Sequence, residues 1–163
     1  MTEETTDAFI RLAHEMVIES TDQAYQMMLG GMPKELETLP VPDGFQDKVY
    51  DFLGTIQATG ERSIQLSLGL DEEPLKALCG IMMGAEMDDE TILMGCQQEL
   101  LNIILGGTIG ALSQLASLKL QVPRMEKAAK HPFSPAKSFA QILSFTSDRV
   151  HLEFLLAVTH EKN

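Results

Sequence analysis

An α+β fold is predicted for this chain: a largely antiparallel sheet built from two helix-hairpin halves, with two long helices and a shorter one packed on it. Three observations carry that expectation. Two stretches, 6–29 and 90–118, place apolar residues at helical spacing over five turns or more. Two pairs of strand-like runs flank short polar turns. The halves also resemble each other, each reading as a helix followed by a hairpin. A length of 163 residues fits one domain, residues 1–163, with room for a proper core.

The first helix is read from about Thr6 to Leu29, with Phe9, Leu12, Ala13, Met16, Val17, Ala24, Met27 and Met28 largely in helical phase. Gly30-Gly31 stops it, with Pro33 just beyond. From Met32 to Gly44 the composition turns to proline, glycine and acid, which reads as a surface loop. Val49 to Ala58 and Ser63 to Leu68 then form a hairpin around Thr59-Gly60-Glu61-Arg62, since Ile64, Leu66 and Leu68 alternate with Gln65 and Ser67. Asp71-Glu72-Glu73-Pro74 combines a capping acid, first-turn acids and an early proline, and starts a short helix ending at Met83. Gly84 breaks that helix, and Glu86 to Glu90 supply the next N-terminus.

The long helix that follows runs towards Leu118, and Pro123 limits the short extended piece after it. Arg124 to Pro135 reads as a basic, proline-marked loop. Ser138 to Phe145 and Val150 to Val158 form a second hairpin around Thr146-Ser147-Asp148-Arg149. Two short matches relate the halves: Gln26-Met27-Met28-Leu29-Gly30-Gly31 with Asn102-Ile103-Ile104-Leu105-Gly106-Gly107, and Thr59-Gly60-Glu61-Arg62 with Thr146-Ser147-Asp148-Arg149.

Composition narrows the function classes. With 44% hydrophobic and 22% charged residues, the chain is an ordinary globular sequence. The formal charge of −12 is uneven: residues 1–90 carry 19 acids against 5 bases, and residues 91–163 carry 5 against 7. The first half repels polyanions, so nucleic acid and anionic membrane are poor partners. The acidic start, Met-Thr-Glu-Glu-Thr-Thr-Asp, is the opposite of a basic leader, and no run of 18 uninterrupted apolar residues occurs. A cytoplasmic protein is expected. Cys79 and Cys96 lack CxxC spacing and read as buried thiols rather than a zinc site or disulfide framework. The acids Glu86, Asp88, Asp89 and Glu90 suit a helix dipole without any metal. His14, His131, His151 and His160 are scattered and have no nucleophile at a recognisable spacing.

The chemistry concentrates on the second long helix. At about 100° per residue, Cys96, Leu100, Ile103, Ile104 and Gly107 form an apolar stripe, while Gly95, Glu99, Asn102, Gly106 and Gly110 fall together on another. Glu99 and Asn102 are neighbours three residues apart, and both should project from a nearly bare backbone ridge. Glycine inside a helix costs roughly 1 kcal/mol against alanine, so its repeated use beside one polar pair suggests that another surface must approach closely. The plain alternative is a pair of solvated helix positions. In the first half the matching positions are Gln23 and Gln26, which carry no charge.

Glu99-x-x-Asn102 within Gln98-Glu99-Leu100-Leu101-Asn102-Ile103-Ile104-Leu105-Gly106-Gly107, preceded by Met82-Met83-Gly84-Ala85-Glu86, resembles the CheC, CheX and FliY type of chemotaxis phosphatase domain. The order of elements agrees over nearly the whole chain, and a single Glu/Asn pair is most similar to the CheX members. The resemblance implies hydrolysis of the aspartyl phosphate on a CheY-type response regulator. Glu99 would pair with the regulator's active-site lysine, and Asn102 would orient the attacking water. The chain itself would bind no cofactor; the partner regulator would bring Mg2+. A homodimer is also implied, and the apolar alternation of Val150 to Val158 offers it a shared edge or a buried sheet. The family pattern places Asp or Ser four residues before the Glu, where this chain has Gly95. That departure motivates a second reading, a non-catalytic adaptor holding a phosphorylated receiver domain by the same helix face.

Overall fold

The computed structural model describes residues 3–115, 117–132 and 138–159. Helix α1 spans Glu3–Met28, β1 Glu35–Leu39, β2 Tyr50–Thr59, β3 Ile64–Leu70, α2 Glu72–Met83 and α3 Glu90–Leu112. They are followed by β4 Lys119–Leu120, β5 Arg124–Ala129, β6 Ser138–Thr146 and β7 His151–Thr159. Among the described residues the seven strands form one antiparallel sheet in the order β1-β6-β7-β3-β2-β4, with β5 also paired to β2.

Period-2 alternation turns Phe52, Ile56, Ala58, Ile64, Leu66, Leu68, Leu143, Phe145, Leu152, Phe154, Leu156 and Val158 to one face of the sheet. These residues join Phe9, Val17, Tyr25, Leu100, Leu101 and Ile104 of the helices in the core. Buried apolar side chains of this size contribute about 1.5–3 kcal/mol each, which makes the face the main source of stability. Tyr25 donates its hydroxyl to Phe145 O at 3.2 Å, tying the end of α1 to β6.

Both hairpins and all three helices lie where the sequence puts them. Gly30, with φ +84°, ends α1, and Tyr25 O accepts from both Leu29 N and Gly31 N. Gly84, with φ 73°, caps α2. β3 pairs with β7, so the two hairpins meet at the centre of the sheet, and the strand after each long helix crosses to the other half's hairpin. Thus β1 pairs with β6, and β4 and β5 pair with β2. This exchange agrees with the internal similarity of the sequence.

Three boundaries are corrected. The expected loop from Met32 to Gly44 contains β1, and the expected loop from Arg124 to Pro135 contains β5; residues 133–135 of that loop lie outside the described residues. Both strands are mostly exposed and lie at a sheet edge, so neither has the apolar alternation that marks a strand in sequence. The helix expected to reach Leu118 ends at Leu112, its last buried residue, beyond which Ser113, Gln114 and Leu115 face water. Strand β7 has β3 on one side and β6 on the other, so its apolar alternation belongs to an interior strand and offers no shared edge.

Candidate functional site

Helix α3 is fixed at its N-terminal end, from below and from the side. Asp89 caps it, its Oδ1 accepting from Thr91 N at 2.9 Å and Ile92 N at 3.2 Å. Of the other acids in that cluster, Glu90 pairs with Lys127 and Asp88 lies 3.9 Å from Lys76, so the cluster starts the helix and holds neighbouring elements. Underneath, Gln97 is fully buried and donates Nε2 to Leu68 O at 2.6 Å and to Phe52 O at 3.4 Å. Leu101 fits over Gly54 of β2, where a Cβ would come 2.6 Å from Leu101 Cδ1. Alongside, a Cβ on Gly107 would lie 2.9 Å from Ser20 Oγ of α1, so Gly107 lets the two long helices cross closely.

With Leu100, Leu101 and Ile104 buried, the helical period leaves the ridge outward. Glu99, Gly95 and Gly110 are exposed, and Asn102 and Gly106 are half-buried. A Cβ on Gly95, Gly106 or Gly110 would meet nothing within 4 Å. Neither Glu99 nor Asn102 has a hydrogen-bond or ion-pair partner among the described residues. The structure therefore brings the two sequence-predicted site residues to one open face, with no helix or loop among the described residues laid over the neighbouring glycines. The amide can donate and accept at once, and the carboxylate is available to a cation. Gln23 and Gln26 are likewise exposed on α1, but two amides present no charge. Helix α3 is long and apolar enough to cross a membrane by composition, yet its buried side packs on α1 and the sheet.

Beside Glu99 the ends of α1 and α2 and the first turns of α3 enclose a cleft of about 460 Å3, a feature the sequence did not reveal. Cys96 borders it. Cys79 and Cys96 are free and buried, as expected, and burial, with Cys79 alongside, pushes the Cys96 thiol up to about 12. A thiol held that high is a poor nucleophile at neutral pH.

The sequence also missed two buried polar groups. Gln97 sits about half a turn from the centre of the ridge, inside the apolar arc, and that position was the available signal. His131 is 4% exposed and places Nδ1 2.6 Å from the buried Ser67 Oγ, on the sheet face away from α3. Phe45 stacks on it and Tyr50 meets it edge-on. Burial, reinforced by the Lys48 charge, holds its pKa down to about 4. A serine and histidine this deeply enclosed form a packing pair, not an accessible nucleophile. His14 contacts Thr38 Oγ1 at 3.3 Å, and His151 lies 2.8 Å from Thr146 Oγ1 and 3.6 Å from Glu153. His160 lies outside the described residues.

Solved structures share this architecture over nearly its full extent. A CheC-like superfamily protein from Shewanella sp. PV-4 matches with a TM-score of 0.67 at 17% identity, over 97% of this chain and 99% of that one. The chain has the CheC-like fold. The CheX-CheY-BeF3-Mg2+ complex from Borrelia burgdorferi matches with a TM-score of 0.74 at 16% identity, over 89% and 96% of the two chains. CheX from Desulfovibrio desulfuricans matches at 0.68 and 18% identity, over 90% and 97%. No family model matches the sequence, and no curated protein matches it.

Proposed function

We propose that this protein is a chemotaxis phosphatase that hydrolyses the aspartyl phosphate of a CheY-type response regulator. The observation that carries the reading is the pairing of Glu99 and Asn102, side by side and without partners among the described residues, on a ridge whose glycines have open space before them. Phosphoryl transfer depends mainly on positioning and charge stabilisation, with little covalent work for the protein. Asn102 holds a water through its carbonyl and amide and aligns it with the phosphorus. Water attacks, the bond from phosphorus to the regulator's aspartyl oxygen breaks, and phosphate and a free carboxylate leave. Glu99 meets the regulator's active-site lysine and sets the register of the two proteins. Mg2+ belongs to the regulator. The bare ridge lets the regulator's loops come within reach of a side chain as short as asparagine. The structure of a CheX-CheY complex on the same fold supports a CheY-like partner.

The test is the decay of phosphorylated CheY with wild-type protein and with Asn102→Ala; equal decay with both removes the catalytic role. Gly95, exposed and without a side chain where the family pattern has a polar one, favours a second reading as an adaptor. Stable binding to the phosphorylated receiver without faster phosphate release would decide for the adaptor. The homodimer implied by the family resemblance has to use a surface other than the edges of β7, both of which are paired within the chain.

A further inference from the structure

Met27 from α1, Met82 and Met83 from α2, and Ile92, Gly95 and Glu99 from α3 line the cleft of about 460 Å3 beside the ridge. Met27, Met83 and Ile92 are 76%, 52% and 39% exposed, so three elements each leave a large apolar side chain in water at one concave place. Single exposed apolar residues are ordinary, whereas a contiguous concave group marks a binding surface. Methionine walls add adaptability, because an unbranched thioether reshapes around its occupant at little cost.

The electrostatics of the cleft narrow the occupant. Glu99 is the only carboxylic acid or basic side chain among its lining residues, and it has no cation beside it among the described residues. An apolar wall ending on one unpaired carboxylate is complementary to a projection that is apolar and carries a cation at its side. Gly95 and Glu99 belong to both cleft and ridge, so any protein surface that reaches Glu99 also covers the methionines.

We infer that this cleft is the groove in which the partner receiver domain seats an apolar surface side chain next to the cation that meets Glu99. The inference rests on the phosphatase reading and divides the labour: Met27, Met83 and Ile92 hold the partner, and Asn102 acts on its phosphate.

The experiment uses the full chain and the variants Met83→Asp, Ile92→Asp and Val122→Asp. Met83 and Ile92 are surface positions, and Ile92 lies in the first turn of α3, where an added acid suits the helix dipole. Binding is measured by calorimetric titration with a CheY receiver domain loaded with beryllofluoride and Mg2+, and turnover by phosphate release from the phosphorylated receiver. Each cleft variant should raise Kd and KM at least tenfold and leave kcat within twofold, and Val122→Asp, at an 84% exposed apolar residue outside the cleft, should stay within twofold of wild type throughout. Unchanged Kd in both cleft variants overturns the assignment, even if Asn102→Ala has lost turnover and the phosphatase reading stands. Wild-type binding without accelerated release ends the phosphatase reading, and the binding titrations still decide the cleft. An unchanged receiver affinity accompanied by loss of a dimer in sedimentation also overturns it, because a second copy of this chain is then the occupant.

Discussion

Replacing Gly95 or Gly106 by alanine should make the protein more stable, whereas a large side chain at Gly106 should cost the face its use. Both lie inside α3, and a Cβ at either position meets nothing within 4 Å. The substitution therefore recovers helix propensity without a clash, a gain of about 0.8–1 kcal/mol. For a chain of this size that raises Tm by roughly 2–4 °C. Gly107 is the internal control, because its Cβ would press on Ser20 Oγ at 2.9 Å and α1 would have to give. Gly107→Ala should accordingly gain less than the other two. Thermal and guanidinium unfolding read these stabilities, and the same proteins then enter the phosphate-release assay. Gly106→Leu, which fills the ridge with a good helix former, should unfold no earlier than wild type and lose at least about 90% of its turnover, the counterpart of roughly 1.4 kcal/mol. Destabilisation by Gly106→Ala would show that the ridge is packed rather than open. Full activity in Gly106→Leu would show that nothing approaches it.

Three further outcomes follow from the interior. His131 resists the proton that an unfolded chain accepts near pH 6.5, so stability is full above that pH and falls by about 3 kcal/mol as the pH drops towards its folded value of about 4. Urea titrations at pH 7.5 and 4.5 should show His131→Gln losing less over this interval than wild type, and equal losses would contradict the assignment. Gln97→Leu strips the hydrogen bonds from Leu68 O and Phe52 O, and should lower the denaturation midpoint by the equivalent of about 1–3 kcal/mol; an unchanged midpoint would refute the anchoring role. Gly54→Ala drives a Cβ against Leu101 and should cost about 1–3 kcal/mol. Because Leu101 precedes Asn102, phosphate release should fall as well, and normal turnover in a destabilised protein would show that this contact does not position the site.

The hairpins, the three helices and the Glu99/Asn102 ridge were legible because each depends on a period within one segment. A helix of 3.6 residues per turn puts 95, 99, 102, 106 and 110 together whatever else the chain does. Strands β1 and β5 were not legible, because exposed edge strands owe their structure to the hairpin beside them: Leu36 is a strand residue through Phe145, and Lys127 through Phe52. The methionine cleft joins residues 27, 83, 92 and 99 from three elements, and Ser67 meets His131 across 64 positions. No local pattern reports such encounters. Gln97 falls between these cases, since its angle on the helix was readable but the two carbonyls that make its burial tolerable were not.

Asn102 and Glu99 can be separated in one set of measurements: phosphate loss from phosphorylated CheY at saturating protein, alongside affinity for the beryllofluoride-loaded receiver. The account predicts that Asn102→Ala loses roughly 10²-fold or more in rate and keeps its affinity, whereas Glu99→Ala loses affinity. Acceleration by Asn102→Ala equal to that of the wild-type protein would contradict it.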